Sequence, residues 1–104
     1  MLSDRQFAAQ ADFMKALSHP TRLQIIELLR YGEKCVCEIF PALDLGQTNV
    51  SRHLAILKRE GLVQSRKDGL KVIYWTADQR IYEILDLCSE IVRQIWDQKA
   101  EMAR

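Results

Sequence analysis

Three cysteines are the side chains in this sequence best suited to chemistry, because a thiolate is both a nucleophile and a ligand for soft metal ions. Cys35 and Cys37 are separated by one residue, whereas Cys88 lies in an apolar stretch closer to the end of the chain. On a regular helix, residues two apart point about 200° away from each other, so one ion joins Cys35 and Cys37 only if the helix start unwinds.

The third cysteine has two interpretations that the residues leave open. Cys88 is either a further thiolate ligand or a small side chain buried in the apolar stretch around it. An odd number of cysteines makes a disulfide framework a poor explanation, so we expect all three thiols to be reduced.

A second group of polar side chains is suited to contact with nucleic acid. Gln and Asn read adenine with two hydrogen bonds, Arg reads guanine, and hydroxyl groups contact phosphates or bases. The candidate DNA-contacting residues of this group are Gln47, Thr48, Asn49, Ser51, Arg52 and His53. Further along, Arg66, Lys67 and Lys71 can neutralise phosphates and position the protein without reading sequence, although they are also compatible with a solvated surface.

The distribution of charge favours a polyanionic partner, although the formal net charge of the chain is only +1. Residues 47–75 contain six Lys or Arg and two Asp or Glu, a net charge of +4, and the rest of the chain carries −3. A basic segment within an acidic chain is typical of a protein that docks one face on phosphates. A charged surface in solvent would produce the same pattern.

Hydrophobic periodicity and capping residues predict the elements that position these side chains. A capping box at Ser3 introduces a first helix that ends near Leu17, and Pro20 begins a second helix that closes at Tyr31-Gly32. A short third helix is expected within residues 33–43.

The second half of the chain predicts a helix-turn-helix and a hairpin. A tight turn at residues 44–46 separates the third helix from a fourth, which ends at Glu60-Gly61. Strands at 62–66 and 71–76 flank a turn that contains Asp68-Gly69, and a capping box at 76–79 introduces a long final helix. The expected fold is therefore mainly α with a small β-hairpin, in the order of a winged helix-turn-helix.

The length of 104 residues suits one hydrophobic core, so residues 1–104 are interpreted as a single winged helix-turn-helix DNA-binding domain. No apolar run is long enough for a membrane span and the start lacks a secretory signature, so we expect a cytoplasmic protein with no membrane partner. Because the first and last helices both present apolar faces, we expect a homodimer formed through them.

No arrangement typical of an active site is present. The sequence has no glycine-rich phosphate loop, no nucleophile beside a base and no carboxylate pair at a recognisable spacing, so we do not expect an enzyme. His19 is interpreted as a hydrogen-bonding residue at a helix start.

Three motifs together resemble those of the ArsR/SmtB family of bacterial and archaeal metal-sensing repressors. They are Leu17-Ser18-His19-Pro20-Thr21-Arg22-Leu23, Cys35-Val36-Cys37-Glu38-Ile39 and Thr48-Asn49-Val50-Ser51-Arg52-His53-Leu54. The resemblance implies a homodimer that binds a roughly palindromic double-stranded DNA operator and leaves it when a metal binds.

The cysteine segment is similar to that of the arsenite-responsive branch of this family. The matching run is Glu33-Lys34-Cys35-Val36-Cys37-Glu38-Ile39. This similarity implies As(III) or Sb(III), or another thiophilic metal, as the inducer, with Cys35, Cys37 and Cys88 as candidate ligands. The chain departs from the branch at Phe40, where a third cysteine is often found, and its final helix contains acidic residues but no histidine for the family's other metal site.

Two functional alternatives remain open from the sequence. In the first, the chain binds DNA but its thiols sense oxidants or persulfides, and Cys88 pairs with one of the other cysteines when oxidised. In the second, the winged helix binds an acidic protein and has little salt-dependent affinity for duplex DNA.

Overall fold

Five helices and a three-stranded antiparallel sheet make up the fold in the computed structural model, which describes residues 2–103. The elements are α1 Asp4–Leu17, α2 Pro20–Leu28, β1 Lys34–Cys35, α3 Val36–Ala42, α4 Gln47–Arg59, β2 Val63–Asp68, β3 Lys71–Thr76 and α5 Arg80–Met102. This order confirms the predicted winged helix-turn-helix.

The first two helices begin at the capping residues that the sequence predicts. The Ser3 hydroxyl accepts a hydrogen bond from the Gln6 amide at 3.2 Å, and the Ser3 amide donates to the Gln6 side chain at 2.8 Å. Pro20 occupies the first turn of α2, where its missing amide hydrogen costs no helical hydrogen bond. The Thr21 amide donates to Nδ1 of His19 at 3.0 Å, which confirms His19 as a residue that caps a helix start.

The turn between α3 and α4 depends on one residue with an unusual backbone. Asp44 has a φ of 54°, in the left-handed region, which Asp adopts more readily than most residues because its short side chain can bond locally. Ile39 of α3 and Val50 and Leu54 of α4 are fully buried in the common core. The two helices are therefore fixed to the same core and meet at a sharp turn.

The sheet contains one strand more than the predicted hairpin. Its order is β1-β3-β2, and Ile73 of β3 pairs with Cys35 on one side and with Arg66 on the other. The β1 strand is only two residues long, too short to show the alternation by which strands are recognised. The β2–β3 hairpin turns at Gly69 and Leu70, and Gly69 has a φ of 64° that suits glycine.

The predicted capping box at the start of α5 is wrong. The Thr76 hydroxyl is buried and lies 2.6 Å from the Tyr82 hydroxyl, which donates to the Ile26 carbonyl at 2.6 Å. Because the single phenolic hydrogen goes to that carbonyl, Thr76 must be the donor to Tyr82. The Asp78 carboxylate accepts the Arg80 amide at 2.9 Å instead, so a different residue stabilises this helix start.

A long apolar surface on α1 and α5 is left uncovered by the chain itself. Only the first two turns of α5 contribute to the core, through Ile81, Tyr82 and Leu85. The exposed large apolar side chains of the two helices include Phe7, Met14, Ile84, Leu87, Ile91, Val92, Ile95 and Trp96. Within residues 2–103, no helix combines the length and the hydropathy that crossing a membrane would require.

Candidate functional site

The first turns of α4 present the predicted DNA-contacting side chains on the surface. Gln47, Thr48, Ser51 and Arg52 are exposed, and Asn49 is half-buried with its side-chain oxygen accepting from Nη2 of Arg52 at 2.9 Å. No side chain caps the helix, because its N-cap residue is a glycine. The backbone amides of the first turn are therefore available to an anion such as a phosphate.

His53 corrects one of these predictions, because it is not a surface residue. Its side chain is 8% exposed, and its Nδ1 lies 3.2 Å from Nη1 of Arg22. A guanidinium has only donors, so Nδ1 must be the acceptor and His53 must be neutral in this arrangement. Burial lowers the pKa of His53, and the nearby positive groups of His19, Arg22 and Arg52 lower it further. His53 therefore faces Arg22 within the fold, and its ring is not presented on the open surface of α4 as the sequence predicts.

The β2–β3 hairpin, which we call the wing, presents the other predicted cations. Lys67 and Lys71 are exposed on either side of its turn. Arg66 is also exposed, but its guanidinium is held by both carboxylate oxygens of Glu33 at 2.7 Å and lies 5.5 Å from the ring centre of Trp75. The bond to Arg66 lowers the pKa of the Glu33 carboxyl. Arg66 is thus engaged within the chain, in contrast to the two lysines.

The cysteine pair lies at the junction of β1 and α3, which overturns two predictions. Cys35 is extended, with φ −70° and ψ 147°, and acts as the N-cap of α3, whereas Cys37 is in its first turn. The geometry of two positions on a regular helix therefore does not apply, and no unwinding is needed to bring the sulfurs together. The expectation of reduced thiols is also wrong here, because the two sulfurs form a disulfide with a Cα–Cα distance of 5.0 Å.

A small cleft connects the cysteine pair to both DNA-facing elements. Its volume is about 290 Å³, and its walls include Cys35 and Cys37, Gln47 and Ser51 of α4, and Lys71 of the wing. Cys35 is buried and Cys37 is exposed. A group bound to these sulfurs would therefore lie directly against the side chains expected to meet DNA.

Cys88 does not line this cleft in the single chain, so the structure does not bring it together with the other two candidate ligands. It is exposed and lines a different cleft, of about 630 Å³, between α1 and α5 with Phe13 and Met14. Across the part of the chain that is described, no three His, Cys, Asp or Glu side chains are grouped to hold a metal. The alternative of a buried Cys88 is wrong for the single chain, because Cys88 lies on the exposed apolar surface of α5.

Arg22 and Glu33, which the sequence places within motifs but to which it assigns no role, link elements of the site. Arg22 donates to the Ala16 carbonyl at 2.6 Å as well as to His53, and so connects the end of α1 with α4. Glu33 connects the segment before the cysteines to the wing. For Arg22 and Glu33 no local pattern predicts the partner, since it lies more than 30 residues away in the chain.

Comparison with known proteins gives consistent matches. Residues 19–65 match the model for "Bacterial regulatory protein, arsR family". The chain is 40% identical to an uncharacterized HTH-type transcriptional regulator of Methanocaldococcus jannaschii, covering 83% of this chain and 98% of that protein. It is 45% identical to the arsenical resistance operon repressor of Escherichia coli over 69 residues, covering 65% of this chain and 59% of that protein.

A solved structure matches the fold over nearly the whole chain. It is the homodimeric winged helix-turn-helix DNA-binding domain of a possible ArsR-family regulator from Mycobacterium bovis, with a TM-score of 0.79 and 32% identity. The match covers 93% of each chain. The proteins that resemble this chain are transcriptional regulators, which agrees with the expectation that it is not an enzyme.

Proposed function

The chain belongs to the ArsR family of bacterial regulatory proteins, and on that premise we propose that it is a transcriptional repressor released from its operator when Cys35 and Cys37 capture As(III) or Sb(III). The observation that carries this proposal is the cleft that the cysteine pair shares with Gln47, Ser51 and Lys71. The regulation takes place in the cytoplasm, where chromosomal DNA lies.

Binding to DNA uses the basic segment and a symmetric dimer. The exposed apolar surface of α1 and α5 pairs with the same surface of a second copy, which gives the two-fold axis of a palindromic operator. Each α4 then places Gln47, Asn49 and Arg52 at the base edges of a major groove, while Thr48 and Ser51 contact phosphates. Lys67 and Lys71 of each wing bind the adjacent backbone.

Capture of the inducer requires the reduced form of the pair. Two equivalents of a small thiol such as glutathione reduce the disulfide by two electrons and leave as their own disulfide. The two thiolates so formed, one from the N-cap and one from the first turn of α3, are close enough for one soft ion to contact both at about 2.3 Å. The third position on a trivalent ion is filled by a hydroxide or a small thiol from solution, because Cys88 lines a separate cleft. The proposed site therefore has two protein ligands.

Release follows from where the captured ion lies. An ion with its third ligand occupies the cleft between α4 and the wing. It therefore pushes aside Gln47 and Ser51 of α4 and Lys71 of the wing, which line this cleft. Both elements must fit the duplex at once, because the helix enters the groove while the wing contacts the backbone. A change in their spacing lowers the affinity for DNA without unfolding the domain.

The test is a fluorescence-anisotropy titration of the reduced protein onto a labelled fragment of its own promoter, with and without arsenite. The variant Cys35→Ser/Cys37→Ser retains a side chain that can cap α3 and should bind DNA but no longer leave it. Cys88→Ser is the matched control and should respond as the wild type does. Normal release of the double variant would refute the mechanism.

A second candidate function is a dithiol–disulfide switch, favoured by the disulfide that the structure contains. It replaces the predicted pairing through Cys88, since the Cα–Cα distance of 5.0 Å between Cys35 and Cys37 suits a disulfide directly. Two thiols would give up two protons and two electrons to a disulfide or persulfide, which is reduced to thiols or sulfide. Release by oxidised glutathione without any metal, reversed by dithiothreitol, would identify this function.

A further inference from the structure

The contact between Glu33 and Arg66 joins the segment before the cysteines to the wing. We propose that Glu33 is an internal competitor of DNA phosphate for Arg66, and that it thereby sets the affinity of the protein for duplex DNA. This inference rests on the proposed DNA-binding function, but it requires no inducer and no particular operator.

The geometry of the contact is the one that a phosphate would adopt. Nη1 and Nη2 of Arg66 each donate at 2.7 Å to a different oxygen of Glu33. Arginine binds carboxylate and phosphate through the same pair of parallel hydrogen bonds, so one guanidinium edge cannot serve both partners. The guanidinium also lies over Trp75, which restricts its orientation.

The fold holds Glu33 in place for this competition. Cys35, two residues further on, is buried and pairs with Ile73, and Ile73 pairs with Arg66 across the sheet. Paired residues of neighbouring strands project their side chains on the same face. The backbone of Glu33 is therefore anchored beside Arg66, at the start of β1. A DNA phosphate has no such anchor and reaches Arg66 only when the duplex binds.

Exposure shows that the contact is open to exchange. The side chains of Arg66 and Glu33 are 47% and 51% exposed, so solvent and an approaching duplex can reach both. Arg66 forms an ion pair with Glu33, whereas within residues 2–103 no ion pair involves Lys67 or Lys71. Removal of the Glu33 charge should thus act on one wing cation and not on the other two.

The test compares the affinities of reduced, inducer-free protein for a fluorescein-labelled mixed-sequence DNA duplex. Such a probe reports phosphate contacts, since these carry no sequence information. We expect Glu33→Gln to bind about two- to fivefold more tightly per wing, the range that an exposed ion pair allows, with a steeper dependence on salt. In an Arg66→Gln background, the same change at Glu33 should raise the affinity for DNA no more than Asp68→Asn does.

The matched control distinguishes competition from a general change in charge. Asp68→Asn removes one carboxylate from the same wing but none of the hydrogen bonds to Arg66. The inference would be overturned if Glu33→Gln raised the affinity for the duplex equally with and without Arg66. It would also be overturned if Glu33→Gln raised that affinity no more than Asp68→Asn does. Wild-type protein that fails to bind the duplex at all would instead refute the proposed DNA-binding function.

Discussion

Arg22 and His53 join α2 to α4, with Nη1 of Arg22 lying 3.2 Å from Nδ1 of His53. The same guanidinium donates to the Ala16 carbonyl, so three helices meet at one side chain. His53 can accept this hydrogen bond only when it is neutral. The position of α4 is therefore coupled to the protonation of a buried histidine.

The first prediction concerns stability in mild acid. Because the pKa of His53 is lowered in the folded protein, the unfolded chain binds the proton more readily, and stability falls as the pH drops below the ordinary value of about 6.5. One such group changes the free energy of unfolding by at most about 1.4 kcal/mol per pH unit. Thermal melts between neutral and mildly acidic pH should show this loss.

Two variants separate His53 from the other histidine. His53→Asn keeps an acceptor for Arg22 but cannot be protonated in this range, so its melting temperature should depend less on pH. His19→Asn preserves a residue that caps α2 and leaves burial, the largest cause of the lowered pKa of His53, in place, so most of the wild-type dependence should remain. If His53→Asn melts with the same pH dependence as the wild type, the coupling is absent.

The second prediction separates contacts that position the protein on DNA from contacts that read bases. Lys67→Ala and Lys71→Ala should weaken binding to operator and mixed-sequence duplexes alike, each lowering the slope of log affinity against log salt by about 0.9 per lost contact. Arg52→Ala should instead lower the preference for operator over mixed duplex by about tenfold or more. Affinity that is indifferent to salt in the wild type would favour an acidic protein as the partner.

The third prediction concerns the apolar surface of α5. Ile91 is 49% exposed in the single chain, so Ile91→Glu should not disturb the core. At a self-paired interface, however, the two new carboxylates would be desolvated, and we expect a folded monomer with weak operator binding. Light scattering after gel filtration measures the mass, and the neighbouring Glu90→Gln serves as a control. A dimer that survives Ile91→Glu would place the interface elsewhere.

Local patterns predict most of the fold, because caps and periodicity act over a few residues. Ser3, Pro20 and the turn before α4 are found where the sequence indicates them. The burial of His53 follows from the helical repeat, since Val50, His53, Leu54 and Leu57 share the spacing of one buried helical face. The polar residue type of His53 favours an exposed position, whereas its place in the repeat predicts a core position.

Other features depend on distant contacts that no local pattern encodes. Lys34 and Cys35 form a strand only because β3 pairs with them. As a result, Cys35 is the N-cap of α3 and only Cys37 has a helical position. The bond between Glu33 and Arg66 spans 33 residues. The candidate DNA-contacting residues could thus be predicted from residue types, whereas the cleft that joins them to the cysteines could not.

The measurement that tests the central claim most directly is equilibrium dialysis of arsenite against the reduced protein, alone and saturated with its promoter fragment. If capture by Cys35 and Cys37 and binding of DNA compete at one cleft, each must weaken the other by the same factor. We expect the affinity for arsenite to fall on DNA by the factor by which arsenite lowers the affinity for DNA. Equal affinity of free and DNA-bound protein for arsenite would contradict the account.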